Sequence, residues 1–146
     1  MNTSIPTEVS VILFYNGKGE ILLQDRRTRS KWGEDYGFFG GRVEEGETPE
    51  EAIQREIKEE LGLEGITFEL YRKYTHTNPS TGVKVKRNVY LSDLPDISKL
   101  TCTEGKMEIR TFQNSVELKM IPGFKELLQE IYAELKEQSK ITYQKI

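Results

Sequence analysis

The chain has 146 residues, 36% of them hydrophobic, and a formal net charge of −3. That length and composition suit one compact domain over residues 1–146, with room for a real core. There is no long apolar run for a membrane span and no signal-peptide pattern, and the one cysteine, Cys102, has no partner for an internal disulfide, so a reducing, cytoplasmic setting is expected.

In chain order, "EVSVILFYNGKGEILLQDR" at residues 8–26 places two β-rich apolar runs around the turn signal Asn16-Gly17-Lys18-Gly19, which predicts a hairpin. A basic loop follows at residues 26–41, "RRTRSKWGEDYGFFGG". It mixes Arg26, Arg27, Arg29 and Lys31 with Trp32, Tyr36, Phe38 and Phe39. Thr48-Pro49-Glu50-Glu51 then signals a helix start, with a hydroxyl cap, a proline at the first position and a glutamate three residues beyond the cap. Gly62 stops that helix. "ITFELYRKYTHT" and "VKVKRNVYLSDL", split by "NPSTG", predict a second hairpin, and "MEIRTF" a later strand. A last helix, about residues 123–138, lines up Phe124, Leu127, Leu128, Ile131 and Leu135 as a stripe that covers the core. No internal repeat or low-complexity linker interrupts this alternation of strands and helices.

The first helix sits in an unusual stretch, "GRVEEGETPEEAIQREIKEELGL" at residues 41–63, in which eight glutamates face only Arg42, Arg55 and Lys58. Its net charge is −5, so the remainder of the chain is +2 and the acidity is local. At about 100° per residue, Ile53, Ile57 and Leu61 form a core-facing stripe. Glu56, Glu59 and Glu60 fall on a neighbouring face, with the small Ala52 beneath them leaving space. Arg55 and Lys58 are expected to turn away from this face, toward Glu51. Three carboxylates in one turn repel one another, and the repulsion is relieved by raised pKa values or by a bound hard cation. Oxygen ligands without nearby His or Cys favour Mg²⁺, with Mn²⁺ as a substitute. The bland alternative is a solvated acidic helix face, the better bet for a glutamate-rich helix in general.

Residues 41–63 resemble the signature of the Nudix hydrolases, with Gly41, Glu47, Arg55, Glu56, Ile57, Glu59, Glu60, Gly62 and Leu63 at every fixed position. The resemblance implies an α/β (α+β) fold, an α/β/α sandwich with a mixed central sheet. It also implies water attack on a nucleoside diphosphate linked to another moiety, in one form the removal of oxidised dGTP. Glu56, Glu59 and Glu60 match the family's metal-binding glutamates, the Gly40 carbonyl matches a backbone ligand, and Gly41, Glu47 and Arg55 match residues that support the site. The side-chain oxygens of Glu56, Glu59 and Glu60 are expected to stand ready-made around divalent ions, with Glu56 or Glu59 also taking the water's proton. Glu104, in "TEG", resembles a distal ligand supplied by a later loop, with Glu108 as its rival. One departure is Phe39, where many relatives have proline; it bears on substrate range rather than on the metal site.

The expected substrate is a small nucleotide rather than polymeric nucleic acid or a membrane. Arg26, Arg27 and Arg29 would clamp phosphate, and Trp32 or Tyr36 would stack on a base, against the plainer readings of surface arginines and core aromatics. His76 reads as structural or exposed, Cys102 as a small apolar packer, and Lys84, Lys86 and Arg87 as a solvated face. A strand edge or the C-terminal helix would offer a homodimer surface. Two other classes compete: a catalytically silent nucleotide-sensing or regulatory domain of the same fold, and a calcium loop. "GRVEEGETPEE" lacks the alternating Asp/Asn ligands of a calcium loop.

Overall fold

The computed structural model describes residues 7–27 and 35–141. Among these, the elements run β1 (Thr7–Tyr15), β2 (Glu20–Asp25), β3 (Tyr36–Gly37), β4 (Phe39–Arg42), α1 (Pro49–Leu61), β5 (Glu69–Thr77), β6 (Lys84–Asp93), β7 (Lys106–Thr111) and α2 (Phe124–Glu137), with single 3-10 turns at Ile97–Lys99 and Asn114–Glu117.

The first hairpin forms around Asn16, whose side-chain oxygen accepts from the N–H groups of Lys18 and Glu20. Its two strands pair only near the turn, Phe14 with Leu22 and Tyr15 with Ile21. They then part, because β4 pairs antiparallel with the first half of β1, from Val9 opposite Arg42 to Ile12 opposite Phe39. Released from β1, β2 pairs antiparallel with β3 and β7. The other edge of β1 runs parallel to β6 over its whole length, and β6 carries β5 antiparallel, completing a mixed sheet of seven strands. The sequence reading of residues 26–41 as a loop is corrected here: "YGFFGGR" supplies β3 and β4. Two such short strands, dense in glycine, carry too little alternation to be read from pattern alone. The second hairpin also starts later than expected, with Ile66, Thr67 and Phe68 outside β5.

Alternation along β1 sends side chains to two cores. Ile12 and Phe14, with Leu22, Phe39 and Tyr90, pack beneath Ile53, Ile57 and Leu61 of α1. Val11 and Leu13, with Ile21, Leu23, Val89 and Leu91, pack beneath Phe124, Leu127, Leu128, Ile131 and Leu135 of α2. The result is the expected α/β/α arrangement around a mixed sheet. On β6, Lys84 and Lys86 are exposed as expected, but Arg87 is not. Period two turns it to the α2 face, where it is 5% exposed, donates to the Pro122 carbonyl at 2.8 Å and lies over the Phe124 ring at 4.5 Å. No helix among the described residues is long and apolar enough to cross a membrane.

Candidate active site

Helix α1 begins and ends as its sequence dictates. Thr48 Oγ1 accepts from the Glu51 N–H and Glu51 Oε1 accepts from the Thr48 N–H, the reciprocal capping pair, with Pro49 in the first turn. At the other end Gly62 takes the left-handed conformation, φ 68°, and its N–H closes on the last-turn carbonyls. Ile53, Ile57 and Leu61 are buried as the stripe required.

The three glutamates stand in three different environments. Glu60 is 2% exposed, and its Oε1 accepts from the Gly40 N–H at 3.0 Å. Burial first, then the charge of Glu56 and a hydrogen bond with Glu104, push its pKa up to about 8. Glu56 is half-buried and also raised, chiefly by burial, although Arg55 opposes the shift. Glu59 lies on the outer side, its side chain 60% exposed.

The glycine pair makes room for them. A Cβ on Gly41 would fall 2.5 Å from Glu56 Oε1, so the missing side chain there is what opens space for that carboxylate. Ala52, the small residue on the same side of α1, is fully buried. Gly40 has φ 141° and its Cβ would collide with the backbone of Ser10, a position that demands glycine.

Arg55 departs most from the sequence reading, because it faces the cluster instead of turning away. Its guanidinium donates to Glu47 from Nε at 2.7 Å and from Nη2 at 3.0 Å, to Glu56 Oε1 at 2.9 Å, to Glu59 Oε2 at 3.4 Å and to the Arg42 carbonyl at 2.9 Å. Helical angle alone misplaced it: a long side chain can reach back past its own turn toward the loop that Glu47 anchors. Lys58 does turn outward, but pairs with Glu64 instead of Glu51. The site is also not ready-made. Among the described residues, no three Asp, Glu, His or Cys side chains are grouped so as to hold a metal ion as they stand. Glu56 and Glu59 share Arg55, and Glu60 is drawn inward to Gly40.

The distal loop reaches the same place from the other side of the molecule. Glu104 hydrogen-bonds Glu60 and its charge acts on Glu56, whereas Glu108 pairs with Arg110 on β7. Three contacts tie the loop to α1: the Thr101 N–H donates to the Leu61 carbonyl, the Thr103 N–H to the Glu60 carbonyl and Thr103 Oγ1 to the Glu59 carbonyl. Gln24, buried on β2, donates from Nε2 to the Glu104 carbonyl at 3.0 Å. Neither Thr103 nor Gln24 was singled out by sequence reading; a glutamine inside the apolar run "ILLQD" is the signal that would have found the second. Cys102 packs against the α1 core as expected, and its thiol donates to the Glu104 carbonyl at 3.4 Å.

The candidate substrate residues fare less well. Tyr36, expected to stack on a base, is 5% exposed within the α2 core. It pairs with Asp25 in the sheet, and that register turns its ring inward. Arg27 closes its fork on Asp25, with contacts of 3.1, 3.2 and 2.8 Å, and holds that carboxyl below its ordinary value. Arg26 is half-buried, its side chain running beside Gly37. Trp32, Arg29 and Lys31 lie outside the described residues. His76 is half-buried against Gly123 at the start of α2, with burial lowering its pKa.

A glycine pair, an acidic helix capped at both ends and an arginine clamped on Glu47 match a known pattern, and the NUDIX domain model fits residues 5–129. The chain belongs to the Nudix family. Among curated Nudix-like relatives, the 8-oxo-dGTP diphosphatase of Haemophilus influenzae is 34% identical over 73 residues, which is 50% of this chain and 54% of that protein. The 8-oxo-dGTP diphosphatase of Escherichia coli is 33% identical over 72 residues, 49% of this chain and 56% of that protein. The matched region spans about half the length of these relatives. The Nudix fold itself is shared with the MutT protein of Methanosarcina mazei, with a TM-score of 0.72 at 20% identity over 93% of this chain and 99% of that one.

Proposed function

We propose that this Nudix chain hydrolyses the phosphoanhydride bond of a nucleoside diphosphate linked to another moiety, using Mg²⁺ or, in its place, Mn²⁺. The observation that carries this reading is Glu60, a carboxyl buried beside Glu56 and Glu104 with its pKa raised to about 8. A carboxyl buried against other acids is costly when ionised, and a cation relieves that cost. The donor set fits such an ion: the side chains of Glu56, Glu59, Glu60 and Glu104 offer only hard oxygens, and the missing Cβ of Gly41 leaves Glu56 the room to use them. A bound divalent cation would supply charge neutralisation on the diphosphate oxygens and an acidified water.

The chain's own residues have separate tasks in this reading. Arg55 holds Glu47, Glu56 and the Arg42 carbonyl, bracing the loop that precedes α1 while α1 presents its acids. Glu59, the most solvent-accessible of the three, releases Arg55 at the longest of its hydrogen bonds and accepts the proton of the attacking water. Glu60 stays anchored on the Gly40 N–H, so the inner side of the site keeps its shape.

The relatives named above are 8-oxo-dGTP diphosphatases, which makes oxidised dGTP the first substrate to test. The experiment is release of pyrophosphate or monophosphate with Mg²⁺ across dNTPs, oxidised dNTPs, nucleotide sugars, ADP-ribose and dinucleoside polyphosphates. Glu59→Gln is expected to lower turnover by at least about a hundredfold with an unchanged melting curve. Near-normal turnover would remove Glu59 from the mechanism, and silence across the panel would favour the nucleotide-sensing alternative.

A further inference from the structure

An α-helix leaves the carbonyls of its last turn without intrahelical partners. In α1 two of those carbonyls belong to acids, Glu59 and Glu60, and the loop carrying Glu104 satisfies them and the Leu61 carbonyl. Leu61 is closed by the Thr101 N–H at 3.1 Å, Glu60 by the Thr103 N–H at 3.0 Å and Glu59 by Thr103 Oγ1 at 2.8 Å. On the far side of the loop the Gln24 amide holds the Glu104 carbonyl at 3.0 Å, and Gly105, at φ 69°, passes so close to the Asp25 carbonyl that a Cβ would meet it at 2.4 Å. The Glu104 peptide is therefore gripped between the end of α1 and the β2 strand. Its neighbour Thr103 carries most of the grip on the helix, since that one residue supplies two of the three bonds to α1.

We propose that Thr103 is a positioning residue for Glu104: its hydroxyl and N–H lock the distal loop to the last turn of α1, so that Glu104 meets Glu60 and Glu56 at a set distance. Gln24 fixes the same peptide from the sheet. The helix acids and the distal acid, 44 residues apart at the Thr103–Glu59 bond, then move as one unit. This inference rests on the hydrolase reading, because its consequence is the affinity of the combined carboxylates for a divalent cation.

The test is Mn²⁺ binding to substrate-free protein, measured by calorimetry, alongside thermal melting of the metal-free form. Thr103→Val keeps the side-chain shape and deletes the hydroxyl; it is expected to weaken Mn²⁺ binding about tenfold, the usual effect of removing a partner that orients a ligand. Thr103→Ser restores the donor and is expected to bind within about twofold of wild type. Gln24→Met is expected to weaken binding in the same direction as Thr103→Val. In a Glu104→Gln background, Thr103→Val is expected to have less than about a twofold further effect, since the group it positions is already gone. Unchanged affinity in Thr103→Val, or an equal loss with and without Glu104, would overturn the inference while leaving the hydrolase reading intact. Wild-type protein that binds no Mn²⁺ would overturn both.

Discussion

Glu60 shows how a single position can cost stability and still be required. It sits at the core end of α1, 2% exposed, with the Gly40 N–H as its backbone donor. Burial holds its carboxyl protonated up to about pH 8, whereas in the unfolded chain it ionises near its ordinary value of 4.5. The folded state thus binds the proton more tightly, so the stabilising contribution is fully present below about pH 4.5 and is lost as pH rises through about 8. In metal-free protein, stability is expected to fall by on the order of 3 kcal/mol between pH 5 and pH 8, as read by urea unfolding in chelator. Glu60→Gln removes that ionisable group, and the fall over that window is expected to become markedly shallower, with the raised Glu56 carboxyl supplying what slope remains. An equally steep fall in the variant would assign the pH dependence to another group. Arg87 offers a contrast at the same scale, because a buried cation stacked on Phe124 and bonded to the Pro122 carbonyl was read from sequence as part of a solvated face. Three basic residues close together suggest a surface, but the one that falls out of alternation goes inside.

At the scale of elements, strand β4, which leads into α1, carries two adjacent glycines with different duties. Gly40 exists for the backbone: its φ of 141° and the approach of the Ser10 carbonyl leave no place for a side chain. Gly41 exists for Glu56, since what its Cβ would strike is the mobile end of that side chain. Gly40→Ala is therefore expected to destabilise the fold by at least about 3 kcal/mol in urea unfolding. Gly41→Ala should keep nearly wild-type stability and lose about tenfold or more in divalent-ion affinity, because it displaces an acid instead of the chain. Identical behaviour of the two variants would show that the pair acts only through the backbone of β4. The loop–helix brace works with them: Arg55 ties Glu47 and the Arg42 carbonyl to α1, so the segment between β4 and the helix is held from both ends.

Across the whole molecule, β1 divides labour between its two faces. The α1 face carries the acids, while the α2 face carries packing and the buried Arg87, which is bonded to the Pro122 carbonyl. Ile131, on the buried face of α2, belongs to the layer opposite the carboxylates. Ile131→Ala is expected to cost about 3 kcal/mol of stability through lost burial and the cavity left behind. Its Mn²⁺ affinity at a temperature where it remains folded should match wild type. A matching loss of affinity would show that the two layers are coupled through the sheet.

What the sequence by itself determined is what arises within a few residues. The capping pair of Thr48 and Glu51, the stop at Gly62, the stripe of Ile53, Ile57 and Leu61, and the spacing of Glu56, Glu59 and Glu60 all depend on helical geometry over short separations. The two hairpins and α2 were legible for the same reason, since turn residues and apolar period are local signals. Only the tertiary structure decided the rest. The pairing of Glu104, rather than Glu108, with Glu60 depends on bonds from Thr101 and Thr103 to a helix end forty or more residues earlier. The burial of Tyr36 depends on its register with Asp25, and the inward reach of Arg55 depends on where the loop puts Glu47 and the Arg42 carbonyl. Spacing along a chain records periodicity, but which distant carbonyl, carboxylate or ring will meet a given side chain is settled by packing, and packing is a property of the assembled layers.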